Sequence, residues 1–495
     1  MTTKIEFMND LNRRTFIKNT FIAGVGTSLV GPRFLKNNFS GSGPKKVIVA
    51  GGGISGLCCG YELMKAGHDV TVLEATGRHG GHVFTGKDGL SDGLYADFGA
   101  DHLTKPGYER FFEYVDEFDL DVLPYPNAEG MPLPRNNHTL RMIDGKFYTD
   151  QMLADREVLK KFGFNSREVK FLSQHPWYEL KSLYLEKYLP KFDDINHPFR
   201  SGYEHLDKVP ISKIYKQEGA SDAALNYLGG HNTSALFYLW RLAVLKSRGI
   251  PLSQGKPYRL QGGNQELPNV FARRLGERLK LNHPILAIQH SAKGVTVTYS
   301  AYGYNEEKNM DADFLVNCIS LPVFRNIPIS PALSPEKQYV INNLEYTSHP
   351  FYVFEASSRF WLDDGYESIN MQFEHPDISS IWMEPNKVDT SRVILKAYAP
   401  GGLSPQRVLA AFREVYPGKR DTIVQALTKD WTQDKYAPNC EMESFPIGEM
   451  HKFWPEVLKP DGRIYFAGTY ADSLSRGMES CLRSAQRVAK EIDQI

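Results

Sequence analysis

The sequence predicts an α/β fold built from two interleaved domains, and three observations predict it. A short apolar run, a glycine-rich turn, a helical pattern and a second apolar run follow one another over residues 46–74. A second succession of apolar run, glycine turn and long helical pattern closes the chain over residues 462–492. With 495 residues the chain exceeds one ordinary domain, and long aromatic-rich stretches between the two patterns belong to neither of them.

The bulk composition sets outer limits. Hydrophobic residues make up 41% and charged residues 23%, as in a soluble globular protein. Lys plus Arg equals Asp plus Glu at 58 each, which gives no support for nucleic acid as a partner. At the N-terminus, LNRRTFIK (11–18) precedes a weakly apolar, glycine-containing run, NTFIAGVGTSLVG. The run is shorter than the ~20 apolar residues that a spanning helix needs. Arg13 and Arg14 followed by Phe16, Ile17 and Lys18 resemble a twin-arginine export signal. The alternative is the start of a basic amphipathic helix. The signal implies the twin-arginine export machinery as a partner and a periplasmic or cell-envelope location, with residues 1–43 as signal and linker. The five cysteines are odd in number and show no metal-ligand spacing. Cys58, Cys59, Cys318 and Cys481 lie in apolar, regular-looking segments and read as packing residues, whereas Cys440 lies in a loop-like stretch, DKYAPNCEMESFP.

KVIVA (46–50) reads as a buried strand, and Gly51, Gly53 and Gly56 form G-x-G-x-x-G directly after it. A helix with Leu57, Tyr61 and Met64 on one face ends near Gly67, and HDVTVLEA supplies a second strand with Glu74 at its end. This is the Rossmann-type arrangement. Gly51 makes the turn, Gly53 admits a pyrophosphate to the backbone, and Gly56 lets helix and strand pack closely. The helix start, through Ile54 and Ser55, presents free N–H groups and the positive end of the helix dipole to the phosphates. Glu74 is placed to accept hydrogen bonds from ribose hydroxyls. No second such motif occurs, which argues that electrons arrive from the substrate itself.

From Glu74 onward the sequence resembles the flavin-dependent amine oxidase family. EATGRHGGHVFTG (74–86) and DGLYADFGADHL (92–103) match its E-A-x-x-R-x-G-G-R and D-x-G-A segments through Glu74, Ala75, Arg78, Gly80, Gly81, Asp97, Gly99 and Ala100. His82 departs from the second arginine. RLQGGNQELPNVFARRLGERLKLNHPILAIQHSAKGVTVTY (259–299) matches a further block, with a helix carrying Leu267, Val270, Phe271 and Leu275 and strands at PILAI and VTVTY. By resemblance, the backbone at Ile285 lies against the adenine. GRIYFAGTYADSLSRGMESCLRSAQRVAKEI (462–492) resembles the end of the monoamine oxidases, with Gly468, Thr469, Gly477 and Met478 toward the cofactor. The resemblance implies FAD as cofactor. It also implies a Rossmann-type FAD-binding domain (44–105, 256–322 and 431–495) interleaved with an α+β substrate domain (106–255 and 323–430).

The resemblance further implies oxidation of a C–H next to nitrogen by hydride transfer to flavin N5, on an amine or amino acid, with reoxidation by oxygen or another acceptor. Two other readings stay open: flavin-dependent dehydrogenation or desaturation of a non-nitrogenous substrate, and non-catalytic flavin binding. The family's lysine near flavin N5, nine residues before a Phe-Trp pair, falls here on Phe351, ahead of Phe360-Trp361. The two aromatics that flank the substrate in monoamine oxidases fall on Glu441 and, with one gap, on Gly477. Trp431, Glu441 and Phe351 are thus the candidates for the substrate face. Cys440 falls on the cysteine that bonds the flavin covalently in monoamine oxidases. The alternative for Cys440 is a free loop thiol.

Overall fold

The computed structural model describes residues 43–125, 139–250, 256–301, 306–347, 350–438, 441–442, 444–473 and 477–495. Arg13, Arg14 and Cys440 lie outside the described residues, and Glu441 is described by its backbone alone.

The nucleotide-binding half is built on β1 (Lys46–Ala50), α1 (Ile54–Lys65), β2 (Asp69–Leu73), β3 (Leu279–Lys280), β4 (Phe314–Asn317), β5 (Ile464–Phe466) and α2 (Gly477–Asp493). Its sheet runs β3-β2-β1-β4-β5, with every neighbouring pair parallel. Val47 opposes Phe314 and Val70 across the central strand. Both faces of such a sheet are covered, so its strands read as continuous apolar runs. The period of two still sorts them. Val47 and Val49 join Leu57, Cys58, Leu482, Ala485 and Val488 on the face covered by α1 and α2. Ile48 and Ala50 join Leu315, Ile464 and Phe466 on the other. Each large side chain buried this way contributes roughly 1.5–3 kcal/mol. Cys58 and Cys59 are buried thiols within this packing, and Cys318 and Cys481 are half-buried. Burial pushes the Cys58 thiol up, and contact with the Cys318 thiol together with burial pushes Cys59 up, so both act as apolar filler.

A second sheet of seven strands is assembled from distant parts of the chain. Its order is Ile423–Thr428, Phe351–Ala356, Val393–Tyr398, Ile378–Glu384, Met371–His375, Leu140–Ile143 and Lys146–Thr149. All neighbours are antiparallel except Met371–His375 with Leu140–Ile143. A three-stranded sheet, Leu103–Lys105, Lys256–Leu260 and Val122–Pro124, brings the segment after Ala100 beside Arg259. The aromatic-rich stretches form core: Tyr184, Phe192, Phe237 and Trp240 are all buried in one cluster with Leu185, Leu236 and Leu239. Helix Ala235–Ser247 is apolar nearly all round because it is buried nearly all round, and the Ser234 hydroxyl caps it by accepting the Phe237 N–H. Among the described residues no helix is long and apolar enough to cross a membrane.

Candidate active site

The dinucleotide cradle closes around the start of α1. Gly51 turns the chain with φ 99°, and its N–H is held by the Leu73 carbonyl. A Cβ on Gly56 would overlap the Gly51 carbonyl oxygen, so only glycine lets α1 begin that close to β1. The first turn of α1 carries no acidic side chain, Ile54 and Ser55 are buried in it, and the Ser55 hydroxyl has no hydrogen-bond partner among the described residues. A buried, orphaned donor beside free helix N–H groups suits a phosphate oxygen. Glu74 stands across the turn. One of its oxygens accepts the Gly52 N–H at 2.7 Å and the other accepts the Thr76 N–H at 2.9 Å and hydroxyl at 2.8 Å. The Glu74 and Thr76 carbonyls accept N–H groups from His283 and Asn282, which brings the segment leading into Ile285 beside Glu74 and Ala75. These residues fit the adenosine and pyrophosphate of FAD.

A second layer of backbone packs on the first. Gly80 donates to the Gly52 carbonyl and bridges to Gly53, and Gly81 lies against the Gly53 Cα. The Ala100 N–H donates to the His82 carbonyl, and a Cβ on Gly99 would overlap that oxygen. Trp431 is buried here, with its indole N–H donated to the Phe98 carbonyl at 2.9 Å. His82 packs on the Trp431 ring with centroids 4.2 Å apart, and its Nε2 lies 2.7 Å from the Ala437 carbonyl. A carbonyl only accepts, so Nε2 carries the proton. Burial lowers the His82 pKa to about 4, only partly offset by that carbonyl. Where the family has an arginine, this chain therefore holds a neutral donor at neutral pH. Arg78 and Lys429 cover the Trp431 ring at 5.6 Å and 4.4 Å and supply the positive charge of the region.

At the C-terminal end, Gly468 is tied to α2 through Ser484, whose hydroxyl meets its N–H and carbonyl at 2.9 Å and 3.1 Å. Thr469 opens a short turn, Thr469–Ala471, and Gly477 and buried Met478 open α2. An acid in the first turn of α2, Glu479, faces away from the helix start. It accepts the N–H groups of Arg110 and Phe111, both at 3.1 Å, and so caps helix Glu109–Glu117 from another part of the chain. Glu441–Met442 pairs with Tyr346–Thr347 and lies beside Thr469–Ala471, so the stretch around Cys440 is in part a short ladder rather than loop throughout.

Beside Phe351 stands a buried charge network that the spacing of the sequence does not reveal. The Lys396 ammonium sits 3.8 Å from the centroid of the Phe351 ring. It comes from the neighbouring strand, where Phe351 pairs with Tyr398 and Val353 with Lys396. A lysine thus reaches the place where the expected one is missing, but from the next strand. Its ammonium is engaged by Asp101 at 3.1 Å and Glu384 at 3.3 Å. Arg259 pairs with Asp97 and with Glu384, both at 2.8 Å. Tyr125 donates to Asp101 at 2.6 Å, and His102 Nδ1 lies 3.0 Å from the same carboxylate. Burial opposes ionisation of Asp101, yet His102 and Lys396 beside it, together with these donors, hold its carboxyl well below the usual range. The signal in the sequence was a lone charge in each of two strands, Glu384 in ISSIWME and Lys396 in VILKAY.

Comparison with known proteins identifies the scaffold. Residues 54–493 match the profile of flavin containing amine oxidoreductases. The chain is 27% identical to the L-amino-acid oxidase of Vipera ammodytes ammodytes over 477 residues, covering 92% of this chain and 93% of the relative. It is also 27% identical to that of Pseudechis australis over 478 residues, covering 91% and 87%. Among solved structures, putrescine oxidase superposes with a TM-score of 0.74 at 19% identity, over 91% of this chain and 99% of its own. Cyclohexylamine oxidase of Brevibacterium oxydans superposes at 0.72 and 19%, over 91% and 99%; both show the fold alone. The protein belongs to the flavin-containing amine oxidoreductase family. It is an FAD-dependent oxidoreductase, the class that the cradle and fold define.

Proposed function

We propose that the protein oxidises L-amino acids, releasing the imine that water converts to a 2-oxo acid. The observation that carries this reading is the near full-length match to L-amino-acid oxidases, at 92% of both chains to within a point. When bound, the flavin supplies the hydride acceptor and the route to oxygen. The chain's own residues do the rest. The α1 start, Ser55 and Glu74 would hold the pyrophosphate and adenosine ribose, and Arg78, His82, Gly99 and Ala100 would line the inner part of the cofactor. The rings of Phe351, Trp382 and Tyr398, 5.8–6.0 Å apart, form an apolar wall that excludes water from the reacting carbon. Anaerobic mixing with L-phenylalanine, L-leucine, benzylamine and putrescine tests the reading. Bleaching of the flavin by the L-amino acids, followed by peroxide in air, is expected. Bleaching by the amines alone would replace the substrate class.

Two finer readings accompany it. A covalent bond from Cys440 to the flavin is supported by the register of the sequence and by the position of Glu441–Met442 beside Thr469–Ala471. Yellow colour left wholly in the supernatant after acid precipitation would sink it. Export by the twin-arginine machinery is supported by Arg13 and Arg14. Exchanging both for lysine should retain the protein in the cytoplasmic fraction.

A further inference from the structure

We propose that His102, oriented by Asp101, takes the proton from the substrate's ammonium, so that the nitrogen carries its lone pair when the adjacent C–H bond is oxidised. This rests on the reading above that the substrate bears an amino group. An amine that arrives protonated has no lone pair to develop into the imine, so a base at the substrate face raises the reactive fraction at neutral pH.

Four observations carry the assignment. The first is the dyad itself. His102 Nδ1 is 3.0 Å from an Asp101 oxygen, and the Asp101 side chain is only 3% exposed while that of His102 is 40% exposed. A carboxylate only accepts, so Nδ1 carries the hydrogen and Nε2 is the acceptor in the neutral ring. Among the described residues Nε2 has no hydrogen-bond partner, and the ring's exposure leaves it reachable. The second is orientation. The imidazole lies nearly parallel to Tyr125 at 4.8 Å and 5.7 Å from Trp382, while the Tyr125 hydroxyl holds the other Asp101 oxygen at 2.6 Å. Trp382 in turn meets Phe351 edge-on at 6.0 Å, so the ring faces the same aromatic wall.

The third is place. His102 follows Ala100 by two residues, directly after the backbone that packs on His82. The fourth is charge. The groups around the dyad are Asp97, Asp101 and Glu384 against Arg259 and Lys396, with Tyr95 and Tyr125 as neutral hydroxyls. Three carboxylates face two cations, so the buried network is one positive charge short. That excess of carboxylate stabilises the imidazolium that forms as His102 takes the proton, with Asp101 in direct contact with the ring. The step balances simply. One ammonium N–H bond breaks, an Nε2–H bond forms, the imidazole becomes imidazolium beside Asp101, and no electrons are exchanged.

The experiment compares the holoenzyme with His102→Gln, which can still donate to Asp101. Anaerobic flavin reduction by L-phenylalanine is followed from pH 6 to pH 10. The variant should be about a hundredfold slower at pH 7. The gap should close as pH rises and free amine becomes abundant, with unfolding temperature unchanged. A second measurement needs no turnover and no variant. Diethyl pyrocarbonate labels accessible imidazole nitrogens, and peptide mass spectrometry reads His102. L-α-Methylphenylalanine, which has the amino group but no hydrogen on the reacting carbon, should protect His102 from the label. A His102→Gln profile parallel to wild type, or labelling of His102 untouched by that ligand, overturns the proposal. Protection of His102 with no bleaching by any compound of the panel would keep the dyad as the ammonium site and sink the proposed reaction instead.

Discussion

The cradle at residues 46–81 and the charge network beside Phe351 bind by opposite strategies. The cradle is made almost entirely of backbone. Gly51, Gly53 and Gly56 matter for what they lack, and Glu74, the carboxylate across the turn, is half-buried and held by nearby N–H groups. The network is made of side chains, with Arg259, Lys396, Asp97 and Glu384 all buried and contributed by three separate sheets. A backbone site tolerates loss of its ligand because water can replace it. A buried ion network does not tolerate loss of a member, because the partners left behind are unpaired charges out of reach of water.

That contrast can be broken experimentally. The largest effect is expected for Arg259→Ala, which leaves Asp97 without its cation and Glu384 with Lys396 alone, and should cost about 3–5 kcal/mol in urea unfolding; a loss below 1 kcal/mol would mean that water enters the network. Next comes Glu479, the carboxylate that caps helix Glu109–Glu117. Burial raises its pKa to about 7, against the N–H groups of Arg110 and Phe111. A raised acid binds its proton more tightly in the folded state, so its contribution falls as pH rises from about 4.5 to about 7, by ~3 kcal/mol in total. Glu479→Gln should flatten that limb. His82 works in the other direction. Its folded pKa of about 4 lies below the unfolded value, so its contribution is present above about pH 6.5 and is lost as pH falls toward 4. His82→Asn should remove this acid-side loss, read from unfolding temperature against pH.

Smaller still is Glu74→Gln in the cradle. Losing a charge-assisted hydrogen bond of ~1.5–3 kcal/mol should weaken FAD binding roughly ten- to hundredfold while leaving the unfolding temperature of the apoprotein nearly unchanged. If Glu74→Gln destabilises the apoprotein as much as Arg259→Ala, the contrast between the two regions fails. The smallest effect is expected at Glu113, whose ion pair with Arg110 is exposed on both sides. Glu113→Ala should shift stability by less than about 0.5 kcal/mol.

Legibility in the sequence followed the same division. The strand at 46–50, the helix after it and the strand ending before Glu74 were readable because a glycine turn and an apolar period are local. So were Leu267, Val270, Phe271 and Leu275, which all face the core from helix Glu266–Leu275. The gap at Phe351 was visible, but what fills it was not. Lys396 lies in VILKAY, where a charge in an apolar strand reads equally as a solvated position. Only its pairing opposite Val353 turns it inward onto the Phe351 ring. His82 read as a departure from the family, and whether it carries charge depended on burial against Trp431.

The sequence by itself determined the nucleotide-binding scaffold, because the turn at Gly51 and the approach at Gly56 depend on backbone conformation and steric volume within a few residues. The tertiary structure alone decided the electrostatics of the buried network beside Phe351. Asp97, Asp101, Arg259, Glu384 and Lys396 are distant in the chain, and Coulomb energy depends on separation and desolvation in space. Strand register brings those charges within 2.8–3.3 Å of one another and leaves His102 at their edge, half open, with one nitrogen on Asp101.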